Sequence, residues 1–253
     1  MRVRHLLFAA VLGVSALPAT ACRMTMALEQ WPPYVYRDAQ GRHTGLDLEL
    51  LNSIFKEARC TLVTLPELPT ARRQLLFQKR GLDLMPAASE TPERQSYARF
   101  SLSYRDEAVG LFSKSGAPGG HQQITSFAQL ARGKSTLLAP KVGWYGAQYA
   151  AARPALEKAG RLNAFGSFQQ GVRMLDAGRA DLLLGDVLAV RHEARLQGVA
   201  LNALPFLVLR APVHLMLNAR TTSAADLARL NAAITHLEQR GVLAAIRSRY
   251  EAP

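Results

Sequence analysis

The residues between 23 and 250 alternate between short apolar runs typical of β-strands and longer amphipathic runs typical of α-helices. Such alternation predicts an α/β protein, because helices that follow strands can cover the faces of a sheet built from those strands. The strand-like runs are 23–28, 61–65, 82–87, 135–138, 141–143 and 180–184. The helix-like runs are 46–58, 70–80, 92–97, 126–131, 148–159, 168–177 and 187–196. Residues 204–217 are extended pieces broken by two prolines, and 223–250 is helical with a break at Gly241.

Residues 1–21 have the three parts of a secretory signal peptide: a basic start, an apolar stretch over 6–17 and the small-residue pattern Ala-Thr-Ala at 19–21. The apolar stretch is shorter than the roughly 20 residues that a transmembrane helix needs. We therefore expect an exported, periplasmic protein. Cys22 directly after the pattern raises lipid anchoring as an alternative, which is the weaker one because the leucine favoured at lipoprotein cleavage sites is missing.

Cys22 and Cys60 are the only two cysteines, and two cysteines in an exported chain favour a disulfide bond. Each cysteine precedes a strand-like run. If these runs are parallel neighbours joined by the intervening helix, both cysteines lie at the same edge of the sheet. A lipid on Cys22 would exclude this bond, so the two hypotheses compete.

The formal net charge is +12, and about +10 once Arg2 and Arg4 leave with the signal peptide. The basic residues are scattered, with no run of four, and export argues against a nucleic-acid partner. The chain has no phosphate-binding loop and no cluster of residues with metal-ligand spacing, so we expect no cofactor and no metal.

Residues 89–94 combine a serine, a helix start and an arginine directly after a strand-like run. Thr91 suits the N-cap position and Pro92 the first helical position. Arg94 in the first turn places a guanidinium fork beside free backbone N–H groups, an arrangement that can bind a carboxylate. The alternative is a surface arginine on an ordinary capped helix, and these residues alone leave both open.

The sequence resembles the periplasmic solute-binding proteins of the polar amino-acid type, solute-binding family 3, which are receptors of ABC importers. The resemblance covers about residues 24–250 and rests on the order and spacing of several segments. They are Trp31-Pro32-Pro33-Tyr34, Asp38–Gly41, Gly45–Leu50, Gly81–Leu84, Thr91–Arg94, Phe100–Tyr104, Gly178–Asp181, Gly185-Asp186 and Gly241–Ile246.

The resemblance implies a type II periplasmic-binding fold, in which two α/β lobes are joined by two hinge strands and hold the ligand between them. The hinge crossings would fall near 106–113 and 204–215. Lobe one would then contain 22–107 and 211–253, and lobe two 113–205. Lobe interfaces are favoured ligand sites, and closure shields a ligand from water.

Four residues match ligand-binding positions of the family. The resemblance implies that Arg94 and Ser89 bind the ligand carboxylate and that Asp186 receives the ammonium group. Asp186 can also cap the helix that begins at 187. Trp31 matches an aromatic residue that covers the ligand side chain, whereas Tyr34 is expected in the core.

The loop at 143–148 departs from the family pattern, because Gly143-Trp144-Tyr145-Gly146-Ala147-Gln148 replaces a Gly-Thr-Thr-like sequence. Gln148, or the free N–H groups of the helix it begins, can replace the missing hydroxyl contacts. Trp144 can line the pocket with aromatic surface. Arg72 and Arg73 would favour an acidic ligand if either faced the cleft, but a solvated helix face is the preferred interpretation.

The resulting hypothesis is a monomeric, non-enzymatic receptor that binds an amino-acid-like solute and delivers it to an inner-membrane ABC permease. One alternative is a periplasmic sensor that uses the same cleft. Another is an enzyme resembling the periplasmic dehydratase of related fold. The enzyme is disfavoured, because neither His192 nor His214 has a plausible catalytic partner and no cysteine is free if the two are bonded.

Overall fold

The computed structural model describes residues 22–117 and 121–251, so the predicted signal peptide lies outside the described residues. The strands are β1 (Arg23–Ala27), β2 (Tyr36–Arg37), β3 (His43–Thr44), β4 (Thr61–Leu65), β5 (Leu84–Ala88), β6 (Ala98–Lys114), β7 (Leu137–Pro140), β8 (Leu162–Phe165), β9 (Leu182–Asp186) and β10 (Leu201–Asn218). The helices are α1 (Leu46–Glu57), α2 (Thr70–Gln78), α3 (Pro92–Gln95), α4 (Phe127–Arg132), α5 (Ala147–Lys158), α6 (Phe168–Asp176), α7 (Val187–Leu196), α8 (Ala224–Gln239) and α9 (Val242–Glu251), with a short 3₁₀ turn at His121–Gln123.

A central six-stranded sheet has the order β5–β10–β6–β9–β7–β8. The parallel pair β1–β4 lies beside it, where the Asp83 N–H donates to the Thr25 carbonyl at 2.9 Å. We call the part around β1, β4 and β5 lobe one and the part around β7, β8 and β9 lobe two. Strands β6 and β10 pair antiparallel from Ala98–Asn218 to Lys114–Leu201, and both hinge crossings expected from the sequence lie inside them.

The interruption that two prolines predict in the last extended segment does not occur, because β10 runs through both Pro205 and Pro212. The register against β6 shifts between Ala203 and Leu207, which places Pro205 in a bulge. Pro212 precedes His214, where pairing with β5 begins, so its missing N–H removes no bond to that strand.

Two other segments differ from the sequence prediction in lobe two. Of the predicted strand runs 135–138 and 141–143, only the first overlaps a strand, β7, whereas residues 141–143 lie in the loop after Pro140. Strand β8 was not predicted, because its residues have no period-two pattern: two of its four side chains are exposed.

The predicted disulfide bond is confirmed: Cys22 and Cys60 are joined, with 4.7 Å between their Cα atoms. Strands β1 and β4 are parallel, with Arg23 opposite Thr61, so the cysteines that precede them lie at the same sheet edge. A Cys22 engaged in this bond has no thiol left for a lipid thioether.

Apolar helix faces pack against the sheet and fix the layers. In α6 the buried residues Phe168, Val172 and Leu175 lie on one face, as the helical repeat requires. Gly185 in β9 permits this close approach, because a Cβ there would lie 2.4 Å from the Phe168 ring and 2.7 Å from the Val190 side chain. No helix within 22–117 and 121–251 is both long and apolar enough to cross a membrane.

Candidate ligand-binding site

A cavity of about 910 Å³ lies between the two lobes. Lobe one contributes the loop after β1, helix α2, the end of β5 and α3, whereas lobe two contributes the loops after β7 and β8. These segments follow the carboxyl ends of the strands, the usual place for a ligand in α/β proteins. Glu107 of β6 lines the cavity between the two walls.

Arg94 lines the lobe-one wall and is held by the residues that precede it. The Thr91 hydroxyl caps α3 and accepts a hydrogen bond from the Arg94 N–H at 3.3 Å. The guanidinium Nη1 donates to the Ser89 carbonyl at 2.8 Å. Since no other described residue accepts a hydrogen bond from this guanidinium, its remaining N–H groups are available to a ligand. Ser89 lines the cavity beside it.

Trp31 covers another part of the lobe-one wall. Its ring centroid lies 4.5 Å from that of Tyr34, and its indole Nε1 is buried with no acceptor among the described residues. Tyr34 is buried in the core, as expected, and does not line the cavity. The structure therefore places Trp31 where a ligand can contact it.

An ion pair between Arg105 and Asp47 is buried beneath Trp31 and Tyr34. Its two hydrogen bonds are 2.6 Å and 2.9 Å long, and both side chains are 1% exposed. Asp47 lies in the first turn of α1, which begins close to Tyr34. Gly45 permits this approach, because a Cβ at this position would lie 2.4 Å from the Tyr34 carbonyl. The Arg105 guanidinium lies 4.1 Å from the Tyr34 ring centroid, so the pair supports the aromatic wall.

Asp186 lies behind the cavity and is not among the residues that line it. Its Oδ1 accepts hydrogen bonds from the Tyr34 hydroxyl and the Ala189 N–H, both at 2.8 Å, and it caps α7. Its Oδ2 is buried without a hydrogen-bond partner among the described residues. Burial raises the pKa of Asp186, although the Ala189 N–H and Arg105 oppose that shift.

Glu107 is the acidic group that the sequence analysis missed. It is 6% exposed, and no described residue donates a hydrogen bond to its carboxylate. Burial, followed by the charge of Asp186, raises the pKa of Glu107 to about 8, and Arg105 and Arg94 act in the opposite direction. The sequence does contain a signal for this position, because Glu107 is an acidic residue within 106–113, a segment expected to cross between the lobes.

Lobe two presents aromatic side chains from the loop after β7. Trp144 is 36% exposed and lines the cavity together with Tyr145. Burial and the charges of Glu107 and Asp186 raise the pKa of Tyr145, which keeps its hydroxyl protonated. Gln148 is exposed on the first turn of α5 and does not line the cavity.

Arg73 lines the cavity, contrary to the preferred interpretation of a solvated helix face, whereas Arg72 is exposed and lies outside the lining. Arg73 is 4% exposed and forms an ion pair with Glu29, which lies in the loop after β1 on the same lobe-one wall. Because the negative charge of Glu29 neutralises the positive charge of Arg73, Arg73 does not add an unpaired positive charge to the cavity.

The sequence matches the family model for bacterial extracellular solute-binding proteins, family 3, over residues 24–252. No curated protein matches the sequence. The solved structures that resemble this chain have low sequence identity to it, so their similarity shows only that the fold is shared.

Three of those solved structures differ in the role that is described for them. A histidine kinase sensor domain similar to periplasmic binding proteins has a TM-score of 0.77 at 16% identity, covering 92% of this chain and 96% of that one. An ancestral arginine-binding protein with bound arginine has a TM-score of 0.75 at 17% identity, covering 91% and 98%. A putative L-cystine ABC transporter protein from Listeria monocytogenes has a TM-score of 0.74 at 17% identity, covering 91% and 96%. The chain belongs to the bacterial extracellular solute-binding proteins of family 3 and has the two-lobed α/β fold of periplasmic binding proteins.

Proposed function

We propose that this protein reversibly binds a small amino-acid-like solute in the cavity between its lobes and delivers it to an ABC importer. The observation that carries the proposal is the Arg94 guanidinium, which lines this cavity and is oriented by the Ser89 carbonyl. A guanidinium held in this way can form two parallel hydrogen bonds with a carboxylate. Ser89 would contribute to the same contact.

Aromatic residues from both lobes would cover the rest of the solute. Trp31 lies on the lobe-one wall and Trp144 on the lobe-two wall, so a ligand between them would be enclosed from both sides. Asp186 and Gln148 do not line the cavity. The proposal therefore does not include either of them as a direct contact.

The preferred proposal is that the bound solute is delivered to an importer, and the alternative is that it is presented to a sensor. The Listeria structure of the same fold is described as an ABC transporter protein, and another is a histidine kinase sensor domain. Uptake of the labelled solute at low concentration, in cells with and without this gene, separates the two. Import requires that uptake fall when the gene is removed, whereas unchanged uptake contradicts it.

The first test is a thermal-shift screen of amino acids, dicarboxylates and polyamines, followed by calorimetry on Arg94→Ala. We expect Arg94→Ala to weaken binding of the tightest carboxylate-bearing ligand by about 30-fold or more, because truncating one partner of a charged hydrogen-bonded pair costs roughly 2–5 kcal/mol.

Arg72→Ala is the matched control, because Arg72 is exposed and outside the cavity lining. It should leave the affinity unchanged. Equal affinities for the wild type and Arg94→Ala would refute the assignment. Recovery of the ligand unchanged after long incubation is expected of a receptor, and its conversion to a product would indicate an enzyme instead.

A further inference from the structure

The floor of the cavity holds more hydrogen-bond acceptors than donors. Glu107 lines the cavity, is 6% exposed and receives no hydrogen bond from the described residues. Asp186 lies behind it with Oδ2 buried and also without a donor in the described part of the chain. Buried polar groups are normally paired, so in their ionised forms these two carboxylates lack a donor that a ligand could supply.

The neighbouring guanidinium does not supply that donor. Arg105 uses Nε and Nη2 for Asp47, and its Nη1 donates to the Asp106 carbonyl at 3.2 Å. Of the three carboxylates near Arg105, only that of Asp47 is bonded to it, and those of Asp186 and Glu107 are not. The carboxylates of Glu107 and Asp186 could therefore be balanced by one more positively charged group.

Charged groups of both signs act on Glu107. Asp186 at the end of β9 and Asp47 on α1 make the field at Glu107 more negative. Arg105 on the same strand and Arg94 on α3 make it less so. Tyr145, on the lobe-two wall, remains protonated beside it. An anionic group beside Glu107 would be repelled by the carboxylates of Asp186 and Asp47, whereas a cationic group would be attracted by both of them and by Glu107 once it is ionised.

We infer that the Glu107 carboxylate, rather than that of Asp186, binds the cationic group of the ligand. This inference rests on the proposed function, in which Arg94 binds the carboxylate. It assigns to Glu107 the contact that the sequence analysis gave to Asp186. Asp186 then influences the site without contacting the ligand, through its negative charge and through the hydrogen bond that it accepts from the Tyr34 hydroxyl.

Binding of a cation should release a proton. In the empty cavity the pKa of Glu107 is about 8, so at pH 7 its carboxyl group carries a proton. A cation requires the ionised form, and the proton leaves to solvent when the ligand arrives. Affinity should therefore rise by up to about ten-fold for each pH unit between pH 6 and pH 8.

The first arm of the test uses the wild-type protein, so it does not depend on the folding of a variant. Calorimetry compares the tightest-binding L-amino acid with the 2-hydroxy acid of the same side chain. Where that amino acid is arginine or lysine, citrulline or norleucine is added. We expect at least one analogue that lacks a cationic group to bind ten-fold or more weakly, the effect typical of losing a charged hydrogen bond.

The second arm compares Glu107→Gln with Glu93→Gln, in which an exposed glutamate of the same cavity lining is changed in the same way. Glu107→Gln should remove the discrimination against the analogue that lacks the cationic group, and it should also remove the proton release, which is measured in two buffers of different ionisation enthalpy. Glu93→Gln should retain both. Thermal unfolding of each variant checks that it is folded.

The outcomes separate this inference from the proposed function. Equal binding of the amino acid and of every analogue that lacks a cationic group, or unchanged discrimination in a folded Glu107→Gln, overturns the role of Glu107 while Arg94-dependent binding still stands. If no amino acid binds the wild type, both proposals are overturned.

Discussion

At the scale of single residues, the most costly group beneath the cavity is the Arg105 guanidinium, which is buried with Asp47. Burying such a pair gains little net stability, but removing one partner leaves an uncompensated charge and typically costs 3–5 kcal/mol. The Arg105 guanidinium lies 5.9 Å from the ring centroid of Trp31 and 4.1 Å from that of Tyr34. Its structural consequence is a fixed position for the Trp31 ring, which lines the cavity and which a ligand can contact.

Glu107 should make the stability of the empty protein depend on pH. Its pKa is raised from 4.5 to about 8 in the folded state, so folding takes up a proton between these values. The stabilisation that Glu107 retains at low pH is therefore lost as the pH rises through about 8. Glu107→Gln cannot titrate, and its melting temperature relative to the wild type should rise by about 3 °C or more between pH 5 and pH 8.5.

Comparing the two proteins at each pH cancels the other titrating groups, since they are shared. Glu93→Gln is the control, because Glu93 is exposed and its substitution should give a difference that does not change with pH. A difference between Glu107→Gln and the wild type that is constant from pH 5 to pH 8.5 would contradict the buried, protonated state of Glu107.

At the scale of elements, the same helix–turn–strand unit occurs once in each lobe and ends in the same contact. In lobe one, Asp83 precedes β5 and its Oδ2 accepts a hydrogen bond from the Thr25 N–H at 2.9 Å. In lobe two, Asp181 precedes β9 and its Oδ2 accepts from the Thr136 N–H at 2.7 Å. Each aspartate thus ties its strand to the neighbouring one. The sequences Lys-Arg-Gly-Leu-Asp-Leu at 79–84 and Ala-Gly-Arg-Ala-Asp-Leu at 177–182 are similar, and this shared strand-joining contact accounts for the aspartate that they have in common.

The disulfide bond should stabilise lobe one without affecting ligand binding. It closes a loop of 38 residues between the starts of β1 and β4, for which the chain-entropy estimate is about 4 kcal/mol. We expect the double variant Cys22→Ala/Cys60→Ala to melt about 10 °C lower than the oxidised wild type. Ligand affinity at 25 °C should be unchanged, because neither cysteine lines the cavity.

A reducing agent provides the control for this prediction. It should lower the melting temperature of the wild type to that of the double variant and leave the double variant unaffected. A wild type whose melting temperature is insensitive to reduction would show that the bond is absent in solution or contributes nothing.

Local patterns predicted the elements whose residues carry their own signal. Helix 187–196 and strand 61–65 agree with α7 and β4, because one follows a capping aspartate and the other is an apolar run. The long strand β6 and the cavity position of Glu107 could not be predicted locally, since both depend on β6 pairing with β10. Asp186 was assigned from resemblance alone, which does not show that Tyr34 occupies its Oδ1.

At the scale of the whole molecule, two strands connect lobes that each form one wall of the cavity. Strands β6 and β10 are paired along almost their full length, so they can bend together while the lobes keep their own cores. A solute that contacts both walls favours the arrangement in which they are closest. Ligand binding should therefore draw lobe two toward lobe one.

The two tryptophans of the chain make this movement measurable, because one lies on each wall. Trp144 is 36% exposed, so closure over a ligand should remove water from its ring and shift its emission to shorter wavelength. In Trp31→Phe the emission comes from Trp144 alone, and we expect the shift to saturate at the ligand concentration at which calorimetry shows full occupancy. In Trp144→Phe the remaining Trp31 already packs on Tyr34 and should shift less. Saturated binding to Trp31→Phe with no change in emission would mean that Trp144 stays in water and that the lobes do not close over the ligand.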